Sequence, residues 1–149
     1  MAPDPAAPRD LLGPAREAVA SARVARLATV EADGRAHLVP VCFALDQDTL
    51  YSAVDDKPKK TTALRRLANV AARPDVTLLV DHYEEDWERL WWVRLRGRAR
   101  VESSGPALEL GLSLLADKYP QYRRRPPPGP VLVVELSEAR AWSASGPPG

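Results

Sequence analysis

The stretch Leu90-Trp91-Trp92-Val93-Arg94-Leu95-Arg96-Gly97-Arg98-Ala99-Arg100-Val101 decides the fold. Its odd positions from Trp91 are Trp91, Val93, Leu95, Gly97, Ala99 and Val101, and its even positions are Trp92 and four arginines. A period of two marks a β-strand with one face on a core and the other polar. Held from Trp91 to Val101, such a strand is about 36 Å long when fully extended. A strand of that length in a small domain must bend, and Gly97 is the obvious place.

The neighbouring segments follow the same logic. Asp75 to Tyr83 contains Val76-Thr77-Leu78-Leu79-Val80, an apolar run that reads as a strand buried on both faces. Ala25 to Glu31 alternates, and Ala32-Asp33-Gly34-Arg35 reads as a hairpin turn because Asp-Gly supplies the positive φ such turns need. Ala36 to Leu45 is then the returning strand, and Thr49 to Val54 the next one after the turn at Asp46-Gln47-Asp48; together they read as a β-meander. Val131 to Leu136 is the last strand, extending toward Trp142. Helices are expected over Leu11–Ala22, over Lys60–Ala72 with an apolar stripe of Leu64, Leu67, Ala68 and Ala71, and over Ala107–Lys118. The turns between the first strands are too short for parallel crossovers. The expectation is therefore a mostly β domain with some α: about six antiparallel strands and two or three helices in a small, closed or half-closed barrel.

Composition narrows the function classes. The chain has 149 residues and a formal net charge of +1, which fits one domain and argues against a general polyanion binder. Its single cysteine, Cys42, excludes an internal disulfide and reads as a buried, reduced thiol. The N-terminal Met1-Ala2-Pro3-Asp4-Pro5 does not read as a signal peptide, and no apolar run is long enough to span a membrane, so a cytoplasmic protein with no membrane partner is expected. Proline clusters set residues 1–10 and 144–149 apart as loose termini around a single domain over 11–143, and make Pro126 to Pro130 a stiff connector.

Catalytic constellations are scarce. His37 and His82 lie on expected strands, neither next to a serine or cysteine motif, and no metal-ligand spacing occurs. If the protein is an enzyme, a cofactor carries the chemistry. Two cationic features stand out. Lys57-Pro58-Lys59-Lys60-Thr61-Thr62 follows a strand and opens a helix, which suits a phosphate or carboxylate, or is simply a solvated turn. Arg94, Arg96, Arg98 and Arg100, with Trp92 at their head, suit an anionic tail and a stacked ring. The alternative is a solvent face, or a subunit interface where they meet the acidic loop from Asp81 to Glu88. Pro40, in the second strand, cannot donate a ladder hydrogen bond. Either it frees the backbone of Val39, Val41 and Cys42 to read a heterocycle, or it marks an edge strand.

Ala25 to Val30, Asp33-Gly34-Arg35, His37 to Val41 and Leu50 to Ala53 together resemble the opening of the pyridoxamine-phosphate-oxidase-like split β-barrel proteins, an FMN-binding-like fold. Val54 to Lys59, Leu64 to Asn69, Val80 to Tyr83, Asp86-Trp87 and Leu90 to Arg94 are similar to an actinobacterial class of coenzyme F420 (deazaflavin)-dependent enzymes within that group. The similarity covers roughly residues 15 to 142. It implies a homodimer with the cofactor in a groove between subunits. It also implies a cofactor site: Lys60, with Lys57 and Thr61, on the phosphate; Val39, Pro40 and Val41 along the ring; Ser52, Ala53 and Val54 beneath it; and Trp92 and Arg94 toward the partner subunit or the coenzyme tail. The implied reaction is hydride transfer between the deazaflavin and an electron-poor small molecule such as an activated alkene or quinone, with the proton drawn from solvent or a residue such as Tyr51 or His82. No catalytic residue and no metal are implied. An FMN-dependent oxidoreductase on the same barrel and a non-catalytic F420 carrier are the alternatives. The usual C-terminal Arg-Trp…Arg-Leu ending of pyridoxamine-phosphate oxidases is missing after Arg140-Ala141-Trp142, so the vitamin substrate is not carried over.

Overall fold

The structure, a computed structural model, describes residues 10–54 and 60–146, leaving aside the side chains of 60–64. Lys57 therefore lies outside the described residues.

The long alternating segment forms β6, Trp91–Glu102, and pairs antiparallel along its whole length with β7, Val131–Ser143. The expected bend is there: the register shifts between Arg96 and Gly97. A Cβ at Gly97 would lie 2.4 Å from the Glu135 carbonyl oxygen, so the bulge brings the two backbones together where no side chain fits. Val93 and Leu95 are fully buried, while Arg96, Arg98 and Arg100 point to solvent.

Seven strands make one sheet. The others are β1 (Ala25–Val30), β2 (Ala36–Val41), β3 (Ala44–Asp46), β4 (Thr49–Ala53) and β5 (Asp75–His82), and the order is β2-β1-β5-β6-β7-β4-β3. The β1–β2 hairpin closes as expected, with Gly34 at φ +90° and the Glu31 N–H donating to the Arg35 carbonyl.

The β-meander is corrected. The expected single strand from Ala36 to Leu45 breaks at Cys42-Phe43, and its halves, β2 and β3, lie at opposite ends of the strand order. Two linking residues span at most about 11 Å between Cα atoms, so the sheet must curl until its ends meet, which makes it a barrel. The corner is held from far along the chain. The Tyr119 hydroxyl accepts from the Phe43 N–H at 3.1 Å, and Lys118 Nζ donates to the Phe43 carbonyl at 2.9 Å while sitting 3.9 Å from the centre of the Phe43 ring. Cys42, expected in the core, is only half-buried there.

Double-sided burial is also relocated. In β5, Val76, Leu78 and Val80 face the core, but Thr77 is half-buried and Leu79 is 37% exposed. The strand buried on both faces is the start of β7, Val131 to Val134, because helix α3 (Pro106–Lys118) covers its outer side. Gly111 of α3 lies so close to the Tyr51 ring that a Cβ would sit 2.8 Å from it.

The N-terminal helix is shorter than expected. A 3-10 turn at Gly13–Ala15 leads into α1, Arg16–Ser21, and Leu12, Ala15 and Val19 close one end of the barrel. Helix α2, Lys60–Ala72, has the expected bounds, but its buried face carries Arg66, Asn69 and Val70, with Leu67 half-buried and Ala68 and Ala71 exposed. Asn69 Nδ2 donates to Thr29 Oγ1 at 3.1 Å in the interior, so a polar pair fixes the helix where an apolar stripe was expected. A short helix α4, Pro120–Arg124, follows α3.

Candidate functional site

Strand register sets out the site in rows. Pro40, Arg26, Leu79, Arg94 and Arg140 are successive partners across β2, β1, β5, β6 and β7, all on the outer face of the sheet. The row toward the start of β6 is Asp81, Trp92 and Trp142. Where these rows meet, Leu79, Asp81, Tyr83, Trp92, Arg94 and Trp142 line most of a groove of about 390 Å³. At its end His82 stacks on Trp91, with ring centres 6.3 Å apart and planes within 18°. His82 Nε2 hydrogen-bonds the Glu84 carboxylate, and that bond holds the Glu84 carboxyl below its ordinary pKa.

The four arginines of β6 separate into two kinds. Arg96 lies 3.6 Å from Glu138, Arg98 3.6 Å from Asp75, and Arg100 2.9 Å from Glu102 and 3.1 Å from Glu135. These partners stand on β5, β6 and β7 of the same chain, not in the acidic loop after Asp81. Arg94 has no carboxylate partner among the described residues, and its Nε is buried without a hydrogen-bond acceptor. The stripe thus contains one guanidinium left over, and it is the one inside the groove.

The residues expected around a cofactor fall into three sets. Trp92 and Arg94 meet in the groove. On β2, Pro40 points outward opposite Arg26, while Val41 is buried and Val39 half-buried against the core. Since β2 ends the strand order, Pro40 sits where its missing N–H costs no ladder bond. On β4, Ser52 and Ala53 are buried, and the Val54 N–H donates to the Pro130 carbonyl at 3.1 Å. Lys60 and Thr61 open α2, with side chains outside the described ones. Tyr51 lies on the α3 side of β4, where burial raises its pKa, and it does not line the groove.

A second hollow, of about 460 Å³, lies between the β1–β2 turn and α2, lined by Glu31, Asp33, Arg35, Arg65 and Asn69 among others. Its charges are largely paired, with Arg65 3.2 Å from Glu31. His37, opposite Thr29 on β2, keeps a buried Nδ1 without a partner.

Leu79, Asp81 and Trp142 were not picked out from the sequence as site residues. Only Trp142 carried a signal, as an aromatic at the end of a strand, and its place beside Trp92 depends on a register across the bulge.

Residues 13–143 match the family model described as pyridoxamine 5′-phosphate oxidase. No curated protein matches the chain. Among solved structures, a conserved hypothetical protein from Mycobacterium tuberculosis superposes with a TM-score of 0.68 at 19% identity, covering 85% of this chain and 80% of that one. A heme storage protein from Vibrio cholerae gives 0.67 at 13% identity, with 91% and 95% covered. A FAD-binding protein from Mesorhizobium loti gives 0.57 at 19% identity, with 85% and 89% covered. At these identities the likeness is one of fold.

Proposed function

This chain belongs to the pyridoxamine 5′-phosphate oxidase family, and we propose that it is an F420-dependent oxidoreductase acting on an electron-poor small molecule. The observation that carries this reading is Arg94, whose buried Nε lacks a partner in a groove walled by indoles. Arg94 lines the groove without a carboxylate partner among the described residues, which suits an anionic, flat-ringed ligand. The groove therefore suits the anionic, flat-ringed reactant of such an enzyme. The preference for F420 over FMN rests on the resemblance of the Val54–Lys59, Leu64–Asn69 and Leu90–Arg94 segments to F420-dependent proteins.

In this reading Lys57, Lys60 and Thr61 hold the coenzyme phosphate at the start of α2. Val39, Pro40 and Val41 on the edge strand, with Ser52, Ala53 and Val54 on and after β4, border the ring. The chemistry supplied by the bound coenzyme is a hydride from its C5 position, taken up with a solvent proton by an activated alkene or quinone. Pro40 and Arg94 are three strands apart, about 14 Å, so Trp92 and Arg94 form a second wall rather than part of the same cradle. The chain contributes alignment and exclusion of water.

A homodimer belongs to the same proposal. Outside the groove the outer face carries Leu38 at 64% exposure on the edge strand β2. An uncovered apolar side chain of this kind suits burial against a second copy.

The deciding experiment titrates the purified protein with F420, FMN and heme in one buffer. F420 is expected to bind most tightly, and its reduced form to be oxidised by a quinone or activated alkene. Tighter FMN binding replaces the coenzyme. F420 bound without turnover on a broad panel makes the protein a carrier. A Soret band lost in His82→Ala makes it a heme protein.

A further inference from the structure

We infer that the groove between Trp92, Arg94 and Trp142 is the subsite of the hydride acceptor, and that this acceptor is a flat, electron-poor ring such as a quinone, carrying a single anionic group. Its role as the acceptor's subsite rests on the oxidoreductase reading above; the recognition of ring and anion rests on the groove alone.

Charge comes first. Arg26, Arg94, Arg96 and Arg140 share this region of the outer face with two carboxylates, Asp81 and Glu138. Asp81 is taken by Arg26 at 2.9 Å, and Glu138 is shared by Arg140 at 3.3 Å and Arg96 at 3.6 Å. Arg94 is the one cation of the four with no carboxylate within reach among the described residues, and its fork geometry suits a carboxylate-like anion held by two parallel hydrogen bonds.

Shape comes second. Trp92 and Trp142 are direct cross-strand partners, and Leu79 stands beside Arg94 one strand over. The groove therefore offers two indoles and a branched aliphatic chain around one guanidinium without a carboxylate partner among the described residues, at a volume within the range of small-molecule sites. Flat rings gain from stacking on indole, and an anionic group meets the guanidinium more strongly than a neutral acceptor does.

The same ion pairs favour a short anion over an extended one. An extended polyanionic tail along β6 would need Arg96, Arg98 and Arg100, and each already lies within 3.6 Å of a carboxylate of this chain. A short ligand that ends at Arg94 needs none of them.

The test compares 2-naphthoate with 2-naphthamide, which share a ring system and differ in charge. Binding is followed through the indole N–H signals of ¹⁵N-labelled full-length protein, with Trp92→Phe and Trp142→Phe giving the assignments. Naphthoate is expected to move the Trp92 and Trp142 signals and to bind about ten- to a hundredfold more tightly than the amide, the scale of a hydrogen bond to a charged group. Arg94→Gln is expected to bring the two ligands to similar affinity. Equal binding by the unmodified protein, or a preference that survives in Arg94→Gln, overturns the inference. Should the glutamine variant not fold, Arg94→Met removes the charge at similar length, and a preference that survives there overturns it equally. F420 added to the same samples separates the two readings. F420 that does not bind removes the F420 reading but leaves the naphthoate preference standing. F420 that competes naphthoate out gives the groove to the coenzyme tail and overturns the acceptor assignment.

Discussion

Replacing Tyr119 by phenylalanine tests whether the corner at Cys42-Phe43 is what closes the barrel. The hydroxyl accepts from the Phe43 N–H at 3.1 Å, and it lies 2.9 Å from the Arg23 carbonyl and 3.1 Å from that of Phe43, either of which can take its proton. Phe43 is fully buried, so loss of the hydroxyl leaves its N–H without an acceptor, while its carbonyl keeps Lys118 Nζ. One stranded buried donor costs about 1–3 kcal/mol. For a domain of this size, about 2 kcal/mol corresponds to a fall in Tm of roughly 4–8 °C. Lys118→Met alone is expected to cost less, because the Phe43 carbonyl then turns to the Tyr119 hydroxyl. The double variant is expected to cost more than the sum of the singles, because both donors to that carbonyl are then gone. Urea denaturation followed by tryptophan fluorescence and far-UV circular dichroism measures all three. A Tyr119→Phe effect under about 0.5 kcal/mol, or strictly additive singles, refutes the idea that these side chains hold the corner.

Three other outcomes follow from the geometry. Gly97→Ala places a Cβ 2.4 Å from the Glu135 carbonyl oxygen, so it is expected to lower stability by at least the roughly 1–3 kcal/mol of an overpacked core, read as a loss of Tm. Thr29→Val leaves the Asn69 amide without its buried partner and is expected to cost about 1–3 kcal/mol; a neutral result would show that the amide finds another acceptor. Burial, assisted by Arg23, lowers Lys118 to about 8 from 10.5, so above pH 8 the unfolded chain binds the proton the folded chain has released, and stability rises with pH. Burial raises Tyr119 to about 12 from 10.0, so above pH 10 the folded chain keeps a proton the unfolded chain has lost, and stability falls. Denaturation midpoints are expected to climb from pH 8 to about 10 and then decline, with the climb absent in Lys118→Met.

Much of the fold is legible because its strands are amphipathic. Trp91 to Val101 announces its inner and outer faces and its bend, since a period of two is a local property and a lone glycine in so long a strand marks where it can bend. The Asp33-Gly34 turn is readable for the same reason. Errors occur where a distant element changes the environment. Ala36 to Leu45 alternates well enough for one strand, yet it breaks because Tyr119 and Lys118, more than seventy residues away, offer Phe43 the hydrogen bonds a ladder would have supplied. Val76 to Val80 and Val131 to Val134 are both apolar runs, and only α3 decides which of them is covered twice.

The site divides along the same line. By itself the sequence determined that cationic chemistry is concentrated in two places, the Lys57–Thr61 segment and the β6 stripe, because residue type and spacing are enough to show it. It could not say which arginine is available, since neutralisation of Arg96, Arg98 and Arg100 depends on carboxylates brought beside them by strand register. Tertiary structure alone set Trp142 beside Trp92 and left Arg94 Nε buried without a partner. Charge is carried by a residue, but whether it remains unspent is a property of its neighbours in space, and those neighbours come from strands far apart along the chain.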